Sequence, residues 1–168
     1  MKEILDESGM RRSLVRITHE ILEKNKGVDN LLLVGIETRG VALAKRLQAN
    51  IETFEGKKVD CIPLNISPWR DDRKEKSALP YPSLDVKDKK VILIDDVLFK
   101  GRTVRAAMDA IMYYGRAKEI QLAVLVDRGH RELPIRADYV GKNIPSSIEE
   151  VIRVKTKEDD GVDGIYIL

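Results

Sequence analysis

The chain has 168 residues, of which 43% are hydrophobic and 35% are charged, and its formal net charge at neutral pH is +2. This composition excludes a largely disordered chain, which would lack the apolar residues needed to offset the entropy of ordering. No apolar run approaches the roughly 20 residues that span a bilayer, and one cysteine with two histidines is too few for a His/Cys zinc site. We therefore expect a soluble, cytoplasmic protein with a single domain over residues 1–168.

Helical and strand patterns alternate along the chain. Helical periodicity predicts a helix over residues 7–26, a second one beginning at residue 41 and a third over residues 103–114. Short apolar runs predict strands over residues 31–36, 58–66, 91–94 and 120–126, and shorter ones over 137–140, 151–155 and 165–168. Strands separated by helices predict a parallel sheet that is covered on both faces.

Ligands of such folds bind at the carboxyl ends of the strands. That rule directs attention to the loops over residues 37–40, 95–103 and 127–136. The middle loop has the strongest chemical signal, because an apolar strand runs into Asp95 and Asp96, and a loop with Gly101 then enters a helix. The backbone amides of such a loop bind phosphate well at a helix N-terminus, whereas adjacent carboxylates suit sugar hydroxyls.

Taken alone, an Asp-Asp pair more often marks a strand-end turn in which one Asp caps the helix. The Gly-rich fingerprints of P-loop and dinucleotide-binding proteins are absent from the sequence. The phosphate therefore belongs to a different kind of substrate.

Residues 94–103 resemble the signature with which type I phosphoribosyltransferases bind 5-phosphoribosyl 1-diphosphate (PRPP). Within that family the chain resembles the bacterial pyrimidine operon attenuation proteins, to which it is similar over residues 34–40, 70–72 and 123–145. The resemblance runs from about residue 4 to residue 145 and fades beyond. It implies an α/β fold with an open, mostly parallel sheet flanked by helices, a small hood, and a flexible loop at about residues 67–90. Members of that family bind pyrimidine operon messenger RNA in a uridine-nucleotide-dependent way, and many are also uracil phosphoribosyltransferases.

The resemblance also implies roles for individual residues. Thr38 and Arg39 would hold the pyrophosphate, and the catalytic residues would be Asp95, Asp96 and Arg70, with the two carboxylates on the ribose hydroxyls and Arg70 at the start of the flexible loop. The 5′-phosphate and the rest of the nucleotide would contact a further set, namely Val97, Leu98, Phe99, Lys100, Gly101, Arg102 and Thr103, with Asp127 and Arg128 at the pyrimidine. Mg²⁺ would enter with PRPP, held by substrate oxygens and water, so no dedicated metal site is expected.

Two departures from the family pattern concern catalytic turnover. Lys100 stands where a Thr is usual, which keeps a cation near the phosphate but removes one hydroxyl donor. The segment between Arg70 and Val91 is several residues shorter than usual, so it would exclude water less well. These departures bear on the catalytic rate more than on ligand binding.

Basic residues in two segments are candidates for RNA contact. Arg16 and His19 lie on one face of the first predicted helix, where a charged stripe is usually a solvated surface. Arg131, Arg136 and Lys142 belong to a second basic segment, which by itself is ordinary surface around a substrate site. Similar segments form the RNA-binding face in the family, and the resemblance therefore favours RNA contact for these five residues.

We therefore expect an RNA-binding transcriptional attenuator of the pyrimidine biosynthesis operon that responds to UMP or UTP. The same chain would convert uracil and PRPP into UMP and pyrophosphate, and the resemblance implies a homo-oligomer, a dimer or tetramer. Two alternatives stay open: a salvage phosphoribosyltransferase without RNA binding, and a regulator that has lost turnover.

Overall fold

The computed structural model describes residues 1–71 and 84–168. In chain order its strands and helices are β1 (Lys2–Leu5), α1 (Glu7–Asn25), β2 (Leu31–Ile36), α2 (Arg39–Glu55), β3 (Asp60–Leu64), a short 3₁₀ helix (Ser67–Trp69), β4 (Lys90–Leu98), α3 (Arg102–Tyr114), β5 (Glu119–Asp127), β6 (Tyr139–Asn143), β7 (Ile152–Lys155), α4 (Lys157–Asp160) and β8 (Gly164–Ile167).

Five strands form a parallel sheet in the order β3-β2-β4-β5-β6. All six residues of β2 are buried, and they alternate between two apolar cores. Leu31 and Leu33 pack with α1 and α2 on one face, whereas Leu32 and Val34 pack with α3 on the other. This arrangement confirms the prediction of a parallel sheet with helices on both faces.

A second sheet of three antiparallel strands, in the order β1-β8-β7, forms the hood. The hood takes its strands from both ends of the chain, and α4 connects β7 to β8. The sequence did not predict β1 or α4, because β1 is short and partly exposed and is paired only through the distant β8. The hood itself was expected from the resemblance.

Several predicted boundaries were wrong by a few residues. The strand predicted to end at Ile94 continues as β4 to Leu98, because Asp95 and the residues after it keep pairing with β5. The second helix begins at Arg39 and not at residue 41. β3 contains Pro63 without a break, since β3 is an edge strand and proline is tolerated there.

The flexible loop expected at about residues 67–90 is described only at its two ends. It begins with the 3₁₀ helix and leads back into β4, and residues 72–83 lie outside the described ranges. Among the helices of residues 1–71 and 84–168, none is both long and apolar enough to cross a membrane.

Candidate active site

The carboxyl ends of β2 and β4 meet at one edge of the parallel sheet, and two glycines allow the close approach. A Cβ atom on Gly35 would lie 2.6 Å from the carbonyl oxygen of Gly40, and a Cβ atom on Gly40 would overlap the carbonyl oxygen of Ile94. The N-terminus of α2 therefore lies directly against the backbone of β4. This contact brings Thr38 and Arg39 beside the Asp95–Asp96 pair.

The two carboxylates of β4 differ in their surroundings. Asp95 is buried, with 8% of its surface exposed, and its Oδ1 accepts a 2.8 Å hydrogen bond from the backbone N–H of Asp96. Asp96 is half-buried, and its Oδ1 accepts a 2.7 Å hydrogen bond from the N–H of Val97. Burial and then the neighbouring charge of Asp96 raise the pKa of Asp95 well above its usual range. Asp96 is thus the carboxylate more accessible to a ligand.

A cavity of about 240 Å³ lies between the end of β4 and the start of α3. Gly101 caps α3 with a left-handed backbone (φ +95°), a conformation that favours glycine. Arg70 reaches the cavity from the 3₁₀ helix, and its Nη1 is 3.3 Å from the hydroxyl of Thr103. The lining consists of residues from these segments, namely Arg70, Asp95, Val97, Leu98, Phe99, Lys100, Gly101, Arg102, Thr103 and Val104.

Residues 97–103 are called the phosphate-binding loop here, after the role that the sequence predicts for them. Its two cations, Lys100 and Arg102, share the carboxylate of Glu132 as a partner. The Nε of Arg102 is 3.1 Å from Glu132 and its Nη1 is 3.1 Å from Asp71, while the Nζ of Lys100 is 4.0 Å from Glu132. The hydrogen bond from Arg102 to Glu132 raises the pKa of the guanidinium. All four side chains are about half exposed, so these are weak surface ion pairs that an incoming phosphate would displace at little cost.

Arg131 connects the end of β5 to the phosphate-binding loop. Its guanidinium donates hydrogen bonds to the carboxylate of Asp127 at 2.6 Å, to the carbonyl of Phe99 at 2.8 Å and to the carbonyl of Ile135 at 2.9 Å. The contacts described for Arg131 are thus with residues of the candidate nucleotide site. The surroundings of Arg131 therefore differ from those of the other four residues that are predicted to contact RNA.

Arg128 is buried beside the same loop, with 6% of its surface exposed. Its guanidinium carbon lies 4.0 Å from the centre of the Phe99 ring, and its Nη2 donates a 2.7 Å hydrogen bond to the carbonyl of Ser147. Within the described part of the chain, its buried Nε has no hydrogen-bond partner. A neighbouring cavity of about 420 Å³ is lined by Asp127, Arg128, Gly129, His130, Arg131, Asn143, Pro145 and Ser146.

Arg39, at the start of α2, forms an ion pair with two hydrogen bonds that the sequence did not predict. The Nε and Nη2 of Arg39 donate hydrogen bonds to the Asp160 carboxylate of the hood, at 3.1 and 2.8 Å. This hydrogen-bonded partner raises the pKa of the Arg39 guanidinium and lowers that of Asp160. The only signal for Asp160 in the sequence is a short acidic run at residues 158–160, and nothing in that run indicates a partner 121 residues away.

Three of the RNA candidates lie on two elements that contact each other, namely Arg16 and His19 on α1 and Lys142 on β6. The guanidinium of Arg16 donates to the carbonyls of Val140, at 3.2 Å, and Gly141, and the next residue along the chain, Lys142, is exposed. His19, one turn further along α1, stacks on Phe54 with ring centres 4.5 Å apart. Arg136 is exposed in the segment before β6.

The donor set fits a metal ion that arrives with its substrate. In residues 1–71 and 84–168, no group of three or more His, Cys, Asp or Glu side chains is arranged to hold a metal. The site nevertheless offers Asp96 as a partly exposed oxygen donor, which lies in the chain between the cavity-lining residues Asp95 and Val97. An Mg²⁺ ion that keeps several waters and substrate oxygens as ligands needs no more than one or two such carboxylates.

Curated relatives match nearly the whole chain. A protein from Caldicellulosiruptor bescii named bifunctional protein PyrR is 58% identical, over 99% of this chain and 94% of its own length. A protein of the same name from Clostridioides difficile is 55% identical, over 98% of this chain and 96% of its own length. The similarity thus extends past residue 145, where the resemblance seen in the sequence fades.

Solved structures agree at the level of the fold. A hypoxanthine phosphoribosyltransferase from Trypanosoma cruzi, in complex with its product IMP, aligns with a TM-score of 0.80 at 18% identity, over 100% of this chain and 94% of that one. A hypoxanthine-guanine phosphoribosyltransferase from Bacillus anthracis gives a TM-score of 0.73 at 17% identity, over 98% and 96%. The model of the phosphoribosyl transferase domain matches residues 1–159. With that match and relatives more than half identical along almost its full length, this protein belongs to the phosphoribosyl transferase domain family, among the relatives named bifunctional protein PyrR.

Proposed function

We propose that this protein is an RNA-binding attenuator of a pyrimidine biosynthesis operon that also transfers phosphoribose from PRPP to uracil. The observation that carries the proposal is the cavity at the N-terminus of α3, which combines a glycine-capped loop with Asp95 and Arg70. Asp96 is the next residue along β4. A helix N-terminus with free backbone amides suits a 5′-phosphate, and the carboxylates suit the ribose. The word bifunctional in the relatives' name supports a second activity beside transfer.

The proposed reaction needs positioning and charge stabilisation more than a protein nucleophile. The bond from the anomeric carbon to pyrophosphate breaks, the bond from that carbon to N1 of uracil forms, and the N1 proton passes to solvent. Arg39 would stabilise charge on the departing pyrophosphate, while Asp95 and Asp96 would hold the ribose hydroxyls. Mg²⁺ bound to PRPP would neutralise part of the pyrophosphate charge. Asp127 and Arg128, at the neighbouring cavity, would contact the pyrimidine.

The proposed RNA surface consists of Arg16, His19, Arg131, Arg136 and Lys142. The contact of Arg16 with the backbone next to Lys142 supports a continuous basic surface across α1 and β6. Basic side chains would contact RNA phosphates, and the RNA sequence would be read from unpaired bases. UMP or UTP in the nucleotide site would act as an effector if it binds the RNA-competent state better. We propose that this regulator works in the cytoplasm as a homo-oligomer, a dimer or tetramer, with residues 1–168 as one domain.

Steady-state assays with PRPP, Mg²⁺ and a panel of bases test the enzymatic half of the proposal. We expect UMP from uracil, and little product from hypoxanthine or guanine. A preference for a purine base would support the salvage enzyme instead. Absence of turnover, together with tight binding of UMP, would support the regulator that has lost turnover.

A gel-shift titration of pyrimidine operon leader RNA, against a scrambled RNA of equal length, tests the regulatory half. We expect UMP to tighten binding of the leader RNA, and Arg136→Ala to weaken it by about tenfold or more, with uracil transfer changed less than about threefold. The affinity should fall with salt at a log–log slope of about −0.7 for each single-strand phosphate neutralised. Equal binding of both RNAs, with and without UMP, would contradict the regulatory function.

A further inference from the structure

Two arginines of α2 are held by the hood in nearly identical ion pairs. Arg39 and Arg46 are seven residues apart and so lie on the same face of the helix, two turns from one another. Asp160 holds Arg39 at 3.1 and 2.8 Å, and Asp163 holds Arg46 at 3.1 and 2.7 Å, each through two hydrogen bonds. The two pairs differ in that Arg46 also donates two hydrogen bonds to Glu158, and in that only Arg39 belongs to the loop assigned to the pyrophosphate.

A further hydrogen bond, independent of Arg39, holds the carboxylate of Asp160 in place. Its Oδ2 accepts a 2.9 Å hydrogen bond from the backbone N–H of Thr156, and 18% of its side chain is exposed. Hydrogen bonds from Arg39 and from Thr156 hold the pKa of the Asp160 carboxyl below its usual range, so the carboxylate is charged at neutral pH. Arg39 therefore rests on a fixed anion and not on a mobile surface carboxylate.

The pairing leaves Arg39 able to bind a second anion. A guanidinium has five N–H groups in a rigid plane, and Asp160 accepts from two of them. The side chain of Arg39 is 34% exposed, so part of it remains accessible. Fixing the plane in advance removes rotamer entropy that the ligand would otherwise have to offset.

We propose that Asp160 is the positioning residue for Arg39: the hood carboxylate orients the guanidinium so that its remaining N–H groups meet the pyrophosphate of PRPP. This inference rests on the proposed transfer from PRPP. It predicts that Asp160 affects ligands that contain pyrophosphate and leaves UMP, which lacks it, nearly unaffected.

The test compares Asp160→Asn with the matched control Asp163→Asn. Both substitutions remove one charge from a hood–α2 ion pair, and both preserve an oxygen that accepts from the backbone. We expect Asp160→Asn to raise the KM for PRPP by about three- to tenfold, the range that fits the loss of one pre-ordered side chain. The dissociation constant of UMP should change less than about twofold in either variant, and Asp163→Asn should leave the KM for PRPP within about twofold of the wild type.

A double-substitution cycle separates positioning from a merely structural role. If Asp160 acts through Arg39, adding Asp160→Asn to Arg39→Ala should change the KM for PRPP no further, because coupled residues are not additive. Thermal unfolding of each variant checks that the fold is retained.

Three results would overturn the inference. They are a lower KM for PRPP in Asp160→Asn, which would make the carboxylate a competitor of the pyrophosphate; equal effects of the two Asn variants; and additive effects in the cycle. If the wild type forms no UMP, the proposed transfer fails by itself. Calorimetric titration of the same variants with PRPP and Mg²⁺ then decides the inference separately, and a wild type that binds no PRPP overturns it too.

Discussion

Replacing Asp95 with asparagine should stabilise the fold and impair the enzyme at the same time. The side chain is 8% exposed and lies next to Asp96, so its ionised form is disfavoured and its pKa is raised. Asn keeps the shape and the oxygen that accepts the 2.8 Å hydrogen bond from the Asp96 N–H. Burial of a poorly compensated polar group costs about 1–3 kcal/mol in protein mutational data. We expect Asp95→Asn to regain part of that free energy at pH 7.5, which for a chain of this size raises the unfolding midpoint by about 2–10 °C.

The sign of the pH dependence makes this prediction specific. Because the folded pKa of Asp95 is above the unfolded value of about 3.9, the folded state binds more protons and its stability falls as pH rises between the two values. The advantage of Asn should therefore be present above the folded pKa and vanish below about pH 4, where Asp95 is protonated in both states. Asp85→Asn is the control, since Asp85 also accepts from a backbone N–H but is exposed.

The measurements are thermal unfolding at pH 7.5 and pH 3.5 and UMP formation at pH 7.5. We expect Asp95→Asn to lower UMP formation by about tenfold or more, equivalent to about 1.4 kcal/mol in the barrier. Asp85→Asn should change stability by less than about 0.5 kcal/mol. A destabilised Asp95→Asn, or a gain that persists unchanged at pH 3.5, would refute the reasoning about burial.

Two further predictions concern the charged side chains around the site. Lys100→Glu places a second carboxylate near Glu132, whose carboxylate is 4.0 Å from the Nζ of Lys100. Calorimetry should show that UMP and PRPP binding are weakened by about tenfold or more, because the new charge repels the phosphate. An unchanged UMP affinity would mean that backbone amides alone hold the phosphate. The hood should loosen in acid, because hydrogen bonds from Arg46 hold the pKa of Glu158, and against the opposing effect of burial that of Asp163, below their usual ranges. The stability that these pairs contribute is present above the unfolded pKa values of about 4 and is lost as pH falls through the folded pKa values. The free energy of unfolding in urea, measured at pH 7 and pH 3, should therefore depend less on pH in Arg46→Gln than in the wild type. An equal pH dependence in the two proteins would contradict the assignment.

The main sheet and the phosphate-binding loop could be predicted because their signals are local. The apolar runs that become β2 and β5 are buried on both faces, and the strand-to-helix turn at Gly101 follows from residues adjacent in the chain. The hood pairs could not be predicted in this way. Arg39 and Asp160 meet only because β1, β7 and β8 bring the end of the chain back over α2.

Arg131 shows why residue type and segment do not fix a role. The sequence places it in a basic segment with Arg136, and an exposed phosphate contact is the natural expectation for both. The structure gives them different surroundings, because the guanidinium of Arg131 donates hydrogen bonds to Asp127 and to three backbone carbonyls, whereas Arg136 is exposed. What separates the two residues is the path of the backbone between β5 and β6, which a charge pattern does not specify.

The same stretch of backbone joins the nucleotide site to the segment that leads to the proposed RNA surface. The N–H of Arg128 donates to the carbonyl of Leu98 at 3.1 Å, and the N–H of Glu132 donates to the carbonyl of Lys100 at 2.9 Å. A ligand that moves the phosphate-binding loop must therefore move residues 128–132 with it or break these bonds. Since a ligand shifts an equilibrium only by its differential affinity for the two states, these backbone contacts are a direct physical route by which UMP would alter RNA binding. Substitutions in this stretch should accordingly change UMP affinity and RNA affinity together, whereas Arg136→Ala should change RNA affinity alone.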